Sequence, residues 1–281
     1  MKSTKFNVAR YGFAIILGLL STPAFSYVLL ANDDPTLNNP QKWGARTWGT
    51  GAIITWGFLA EGVESSHTDY YGANAIGQLR SNIDAAHGSG AFDTAVSKAF
   101  ITWASVADLQ FVKLADTTSP LGSAVVPDIR IGAFSFSNPT LAGAAGFGPP
   151  GDSAIPDPLA GDVALNYDAY FKIYPYAEGT AYQPGDFQND LEGLLVHEIG
   201  HALGLGHPEV DGIQGDEINS IMCVLDTCDA FLNLRRQLGA DDIAAIQFVY
   251  GAPVPVPGAL WLFGSGLLVV GRTYLKRRTG F

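Results

Sequence analysis

The chain has 281 residues, 47% of them hydrophobic and 15% charged, and a formal net charge of −11. That is enough apolar material for one sizeable core, and it excludes wholesale disorder. An acidic chain lacks the basic surface that nucleic-acid binding requires, so no nucleic acid is expected as a partner.

In chain order, residues 1–26 carry Lys2, Lys5 and Arg10, then an apolar run from Tyr11 to Leu20, then Ala24-Phe25-Ser26. A basic start, a short apolar stretch and a small-x-small site read as a signal peptide cut before Tyr27. Ala52 to Phe58 (AIITWGF) is β-rich and suits a first strand. The polar, glycine-containing segment from Leu59 to Gly90 is expected to be an insertion or a long loop. Ala91 to Ala107 repeats its apolar residues at helical spacing. Phe111 to Leu114, Asp128 to Phe134 and Gly161 to Asn166 read as further strands, and Leu191 to Leu203 as a helix. Ala240 to Tyr250 is a closing helix with Asp241 and Asp242 in its first turn, where the helix dipole favours acids.

Residues 27–251 are thus expected to form one globular domain, and residues 252–281 a separate address. That last segment runs from Val254-Pro255-Val256-Pro257 through an uncharged stretch, Gly258 to Gly271, to a basic cluster at Lys276, Arg277 and Arg278. The stretch is shorter than the roughly 20 residues a membrane-spanning helix needs, but Arg272 can snorkel and extend it towards Leu275. The basic cluster is expected to stay on the cytoplasmic side. Without its two ends the chain keeps nine basic residues against 27 acidic ones, a net charge of −18. That balance fits a soluble extracytoplasmic protein, and calcium and cationic substrates join plain solubility as readings of it.

The two cysteines, Cys223 and Cys228, follow the leader and are spaced for a local disulfide, with two free thiols as the alternative. They are not in Cys-x-x-Cys spacing, so a redox motif is not expected.

Residues 197–207 read HEIGHALGLGH. On a helix, positions i and i+4 share one face, so the imidazoles of His197 and His201 can point at a common zinc ion. Glu198 lies one residue round the helix, where its carboxylate can serve as a general base towards water at the metal. His207 can supply a third nitrogen only if the helix stops, and Gly204 permits the turn that stops it. Three protein ligands leave a fourth position open, which marks a catalytic zinc site rather than a structural one. His67 and His87 stand apart and read as ordinary hydrogen-bonded histidines.

Several residues together resemble one family. HEIGHALGLGHP, the turn Ser220-Ile221-Met222, and DDIAAIQFVYG make Gln41 to Gly251 similar to the metzincin zinc peptidases, matrixin-like branch. The pattern FDTAVSKAFITWASVADLQF followed by DIRI also looks like that family's first helix and third strand. The resemblance implies an α+β catalytic domain: a twisted mixed sheet, a zinc-binding active-site helix and a small C-terminal lobe. It makes Met222 the Met-turn residue, an apolar floor beneath His197, His201 and His207. It implies an endopeptidase whose protein or peptide substrate adds as a strand to the exposed sheet edge around Leu141 to Ala145.

Departures from the family pattern carry expectations too. Gly143 and Ala164 stand where vertebrate-type matrixins place histidines for a structural zinc, so none is expected. Asn166 and Ala169 replace acidic residues, which leaves Asp162 and Asp168 as the calcium candidates. No cysteine precedes the catalytic region, and Tyr27 to Gln41 leaves little room for a propeptide, so the thiol latch of the matrixins is expected to be missing. Val224 occupies the position where serralysin-like and astacin-like relatives carry a tyrosine. The segment Ala252 to Phe281 resembles PEP-CTERM sorting signals of bacterial envelope proteins, although it has no acidic residue between its prolines. It implies membrane attachment and recognition by a sorting transpeptidase, in the cell envelope or the extracellular matrix. A noncatalytic envelope or matrix protein that keeps zinc for stability is the alternative reading.

Overall fold

A computed structural model describes residues 27–30, 41–65, 70–120, 127–137, 143–151, 159–186, 189–208, 219–223 and 233–254. The expected signal peptide, and residues 255–281 of the expected anchor, lie outside the described residues. No helix among the described residues is long and apolar enough to cross a membrane.

The first strand, β1 (Ala52–Phe58), falls on the run expected to form one: Ala52, Ile54, Trp56 and Phe58 are buried and Ile53 faces out. Next come β2 (Tyr70–Tyr71), α1 (Ile76–His87), α2 (Ala91–Ala104), β3 (Leu109–Lys113), β4 (Ile129–Phe136), β5 (Ala144–Gly146) and β6 (Val163–Asn166). Two helices close the order, α3 (Leu191–Ala202) and α4 (Ala240–Tyr250). The sheet runs β3-β1-β4-β6-β5, with β2 paired to the end of β4. β1 pairs in parallel with β3 and β4, and β4 with β6, while β5 is antiparallel to β6. The result is a mixed α+β fold, as expected, with β5 as an edge.

One continuous apolar core joins the sheet to all four helices of the described residues. α2 presents Phe92, Val96, Phe100 and Trp103, and α3 presents Leu191, Leu195, Val196 and Ile199. Burial of this kind contributes roughly 1.5–3 kcal/mol for each large apolar side chain. The segment Leu59 to Gly90 is not the loop its composition suggests, because it contains β2 and α1. Ile76, Leu79 and Ile83 bury one face of α1, and the polar residues between them dilute a periodicity that only three positions carry.

A second apolar cluster joins Leu59, Tyr70, Phe134, Phe136, Leu159 and Ala164. Ala164, one of the two positions behind the expectation of no structural zinc, belongs to this cluster.

Asp162, one of the calcium candidates, forms a buried ion pair. Both its oxygens accept from Arg130, whose Nε donates at 2.7 Å and a terminal nitrogen at 2.8 Å, with both side chains fully buried. A further Arg130 nitrogen donates to the Pro120 carbonyl at 3.0 Å. The pair ties β4 to the entry of β6. Asp162→Ala removes this carboxylate from a buried guanidinium and is expected to cost about 3–5 kcal/mol, read as a lower urea midpoint. Asp168, the other calcium candidate, is exposed, and its backbone N–H bonds the Asn166 side chain at 3.1 Å. Among the described residues, the only cluster of three potential metal ligands contains neither aspartate.

Candidate metal centre

The helix that carries the HEIGH run is fixed at both ends. At its start Asp190 caps α3 by accepting from Gly193 N–H at 2.9 Å. Arg236 grips the same carboxylate with two nitrogens. At its end Gly204 takes φ 102°, in the left-handed region that favours glycine. There Gly204 N–H donates to His201 O at 2.8 Å and Leu205 N–H to Gly200 O at 3.0 Å, the paired bonds of a Schellman stop. A side chain at Gly204 would also meet the Gln41 carbonyl at 2.7 Å. The remaining carbonyls at this end find donors far away in sequence: Trp43 Nε1–H donates to Ala202 O at 2.7 Å and the Tyr250 hydroxyl to Leu203 O at 3.0 Å.

Beyond the stop, the chain folds His207 back towards the helix. Its position is steadied by an antiparallel bridge between Leu29 and Leu205, with Leu30 N–H on Gly204 O and Gly206 N–H on Val28 O. The three imidazoles of His197, His201 and His207 then converge, with one nitrogen from each within 4.8 Å of the others. His197 Nε2 lies 3.1 Å from His207 Nε2, and His201 Nε2 lies 2.8 Å from the same atom.

The backbone decides which ring nitrogens face inward. His197 Nδ1 lies 2.7 Å from the Ile221 carbonyl and His201 Nδ1 lies 2.8 Å from the Leu205 carbonyl. A carbonyl only accepts, so both Nδ1 atoms carry the proton and both Nε2 atoms present lone pairs to the third ring. Burial holds His197 down to about pKa 4 against the opposing effect of its carbonyl bond. His201 is lowered as well, first by burial and then by its two neighbours. Two neutral imidazoles thus aim Nε2 lone pairs at the point where the His207 Nε2 also lies, a donor set of three ring nitrogens that fits a metal ion.

Glu198 is 5% exposed and burial pushes its carboxyl up to about 8, opposed by a hydrogen bond from the Gly146 backbone. A dication among the rings would pull it back down. The edge strand β5 runs so close to α3 that a side chain at Gly146 would strike the Glu198 backbone. Met222 is 2% exposed and its sulfur lies over Gly200, where a side chain would meet it and also Trp103 at 2.9 Å. Its neighbours Ser220 and Ile221 are buried too.

The structure thus brings together His197, Glu198, His201, His207 and Met222, the residues singled out in the sequence. His87 stands apart and accepts from Ile173 N–H at 3.3 Å. His67, Val224, Leu141 and Ala142 lie outside the described residues, whereas Ala144 and Ala145 belong to β5. Cys223 is disulfide-bonded, while Cys228, the chain's other cysteine, lies outside the described residues. Trp43, Tyr250 and Asp190 escaped the sequence reading as parts of this site. The only local sign among them was an aspartate just before an apolar helical run.

Residues 80–251 match the family model described as Matrixin. Metalloendoproteinase 5-MMP of Arabidopsis thaliana is 33% identical over 162 residues, 55% of this chain and 38% of that protein. Macrophage metalloelastase of Oryctolagus cuniculus is 31% identical over 165 residues, 57% of this chain and 29% of the relative. Serralysin of Proteus mirabilis is 26% identical over 174 residues, 55% and 33% of the two chains. The matches therefore span about a third of the length of these relatives.

Proposed function

This chain belongs to the matrixin family, and on that premise we propose that it is a zinc-dependent endopeptidase that hydrolyses peptide bonds of extracytoplasmic proteins. The observation that carries the proposal is the convergence of the His197, His201 and His207 nitrogens beside the buried Glu198. The three histidines would hold the metal through Nε2. A bound zinc supplies Lewis acidity to the scissile carbonyl and lowers the pKa of water to about 7.

The chain's own groups do the rest. The Ile221 and Leu205 carbonyls keep two rings in the tautomer that leaves Nε2 free. Glu198 takes a proton from the attacking water and returns it to the leaving amine, a role that fits a carboxylate held on the helix next to His197. The Gly146 backbone orients that carboxylate. Because β5 is an antiparallel edge, an extended peptide can add alongside it with backbone hydrogen bonds supplying affinity.

The leader-like residues 1–26 support export, and Ala252 to Phe281 supports retention in the bacterial cell envelope, at least transiently, with a sorting transpeptidase as partner. The test is cleavage of a broad peptide library read by mass spectrometry, with and without a zinc chelator. Chelator-sensitive cleavage that added zinc restores is the expected result. Zinc-loaded protein that cleaves nothing would favour the noncatalytic alternative.

A further inference from the structure

The acid at the start of the last helix is bonded beyond its own helix. Asp242 is 2% exposed and lies in the first turn of α4. Its Oδ2 accepts from Gly239 N–H at 2.7 Å, which caps the helix. The same oxygen accepts from Ile221 N–H at 2.8 Å, and Oδ1 accepts from the Ser220 hydroxyl at 2.5 Å. Ser220 Oγ in turn accepts from Met222 N–H at 3.0 Å. Capping α4 requires only the first of these bonds. The others fasten the three-residue turn, Ser220 to Met222, that meets His197 through the Ile221 carbonyl.

Ile221 is the link. Its N–H is held by Asp242, and its carbonyl, 2.7 Å away, accepts from His197 Nδ1–H. We propose that Asp242 is a positioning residue for the metal centre, acting through Ser220 and Ile221 to fix the orientation and tautomer of His197. The proposal rests on the reading of His197 as a metal ligand. Partners that orient a ligating imidazole typically govern metal affinity by 10- to 100-fold. In the full chain, loss of Asp242 frees the Ile221 peptide to rotate, and His197 then samples the tautomer whose Nε2 carries a proton and cannot ligate.

The test compares Asp242→Asn and Ser220→Ala with Asp84→Ala in the full-length protein. Asp84 is a control because it accepts from Gly90 N–H at 2.9 Å and Phe92 N–H at 3.0 Å at the start of α2 and touches no residue of the turn. Zinc dissociation constants are read by competition with a chromogenic chelator, and the tautomer of His197 by nitrogen NMR of the metal-free protein. Asp242→Asn is expected to bind zinc about 10- to 100-fold more weakly. Ser220→Ala is expected to lose less, and both should show a mixture of His197 tautomers. Asp84→Ala should bind like the parent. If Asp242→Asn does not fold, Ser220→Ala decides. Parent-like affinity and a single tautomer in the folded turn variants would overturn the proposal, as would an equal loss of affinity in Asp84→Ala. A parent protein that binds no zinc would instead defeat the ligand reading, and the tautomer measurement would still decide the role of Asp242.

Discussion

Replacing Glu198 with Ala is expected to lower kcat/KM for peptide hydrolysis by roughly 10²- to 10⁴-fold, the usual contribution of a positioned general base, while one zinc per chain is retained. The two halves of that outcome separate Glu198 from its neighbours. Glu198 lies beside the histidine stripe rather than on it, so its removal leaves His197, His201 and His207 in place. It is also buried without a cationic partner among the described residues, so its loss strands no counter-charge there. Glu198→Gln keeps the shape and the contact with β5 but cannot take a proton, and it is expected to be as inactive as the alanine variant. Steady-state kinetics on a cleaved library peptide, with metal content measured on the same sample, checks both variants. Near-parental turnover in either would remove the proposed base.

Removing a metal ligand is expected to be more severe. His201→Ala should purify without stoichiometric zinc and hydrolyse no peptide detectably, because only two of the three converging nitrogens remain. His201 is the informative choice because it is half-buried, whereas His197 is 8% exposed. The packing of α3 rests on Leu191, Leu195, Val196 and Ile199, none of which changes. Far-UV circular dichroism should therefore stay close to the parent while metal and activity are lost together. Full zinc occupancy in this variant would place the ion elsewhere.

What could be read from the sequence was local. The i, i+4 pair, the glycine that ends the helix and the third histidine lie within eleven consecutive residues, and helical geometry alone makes them converge. The long buried strands and α2 to α4 were legible for the same reason, since their apolar periods run over several turns or pleats. Pairings over long sequence distances were not. Nothing near Trp43 announces that its indole will cap Ala202, and nothing near Asp242 announces Ser220 and Ile221. β5 spans only Ala144–Gly146, too short to show an alternation, and it was placed through resemblance. The ion pair of Asp162 with Arg130 was hidden because the two lie on different strands, and only the parallel pairing of β4 with β6 brings them together.

The central claim is that three imidazoles of this chain hold one zinc ion. X-ray absorption spectroscopy at the zinc edge, on full-length protein reconstituted with one equivalent and freed of excess, tests it most directly. The account predicts full retention, with three imidazole nitrogens at about 2.0–2.1 Å and one further light-atom ligand. Protein that emerges empty, or zinc whose spectrum lacks imidazole scattering, would contradict it.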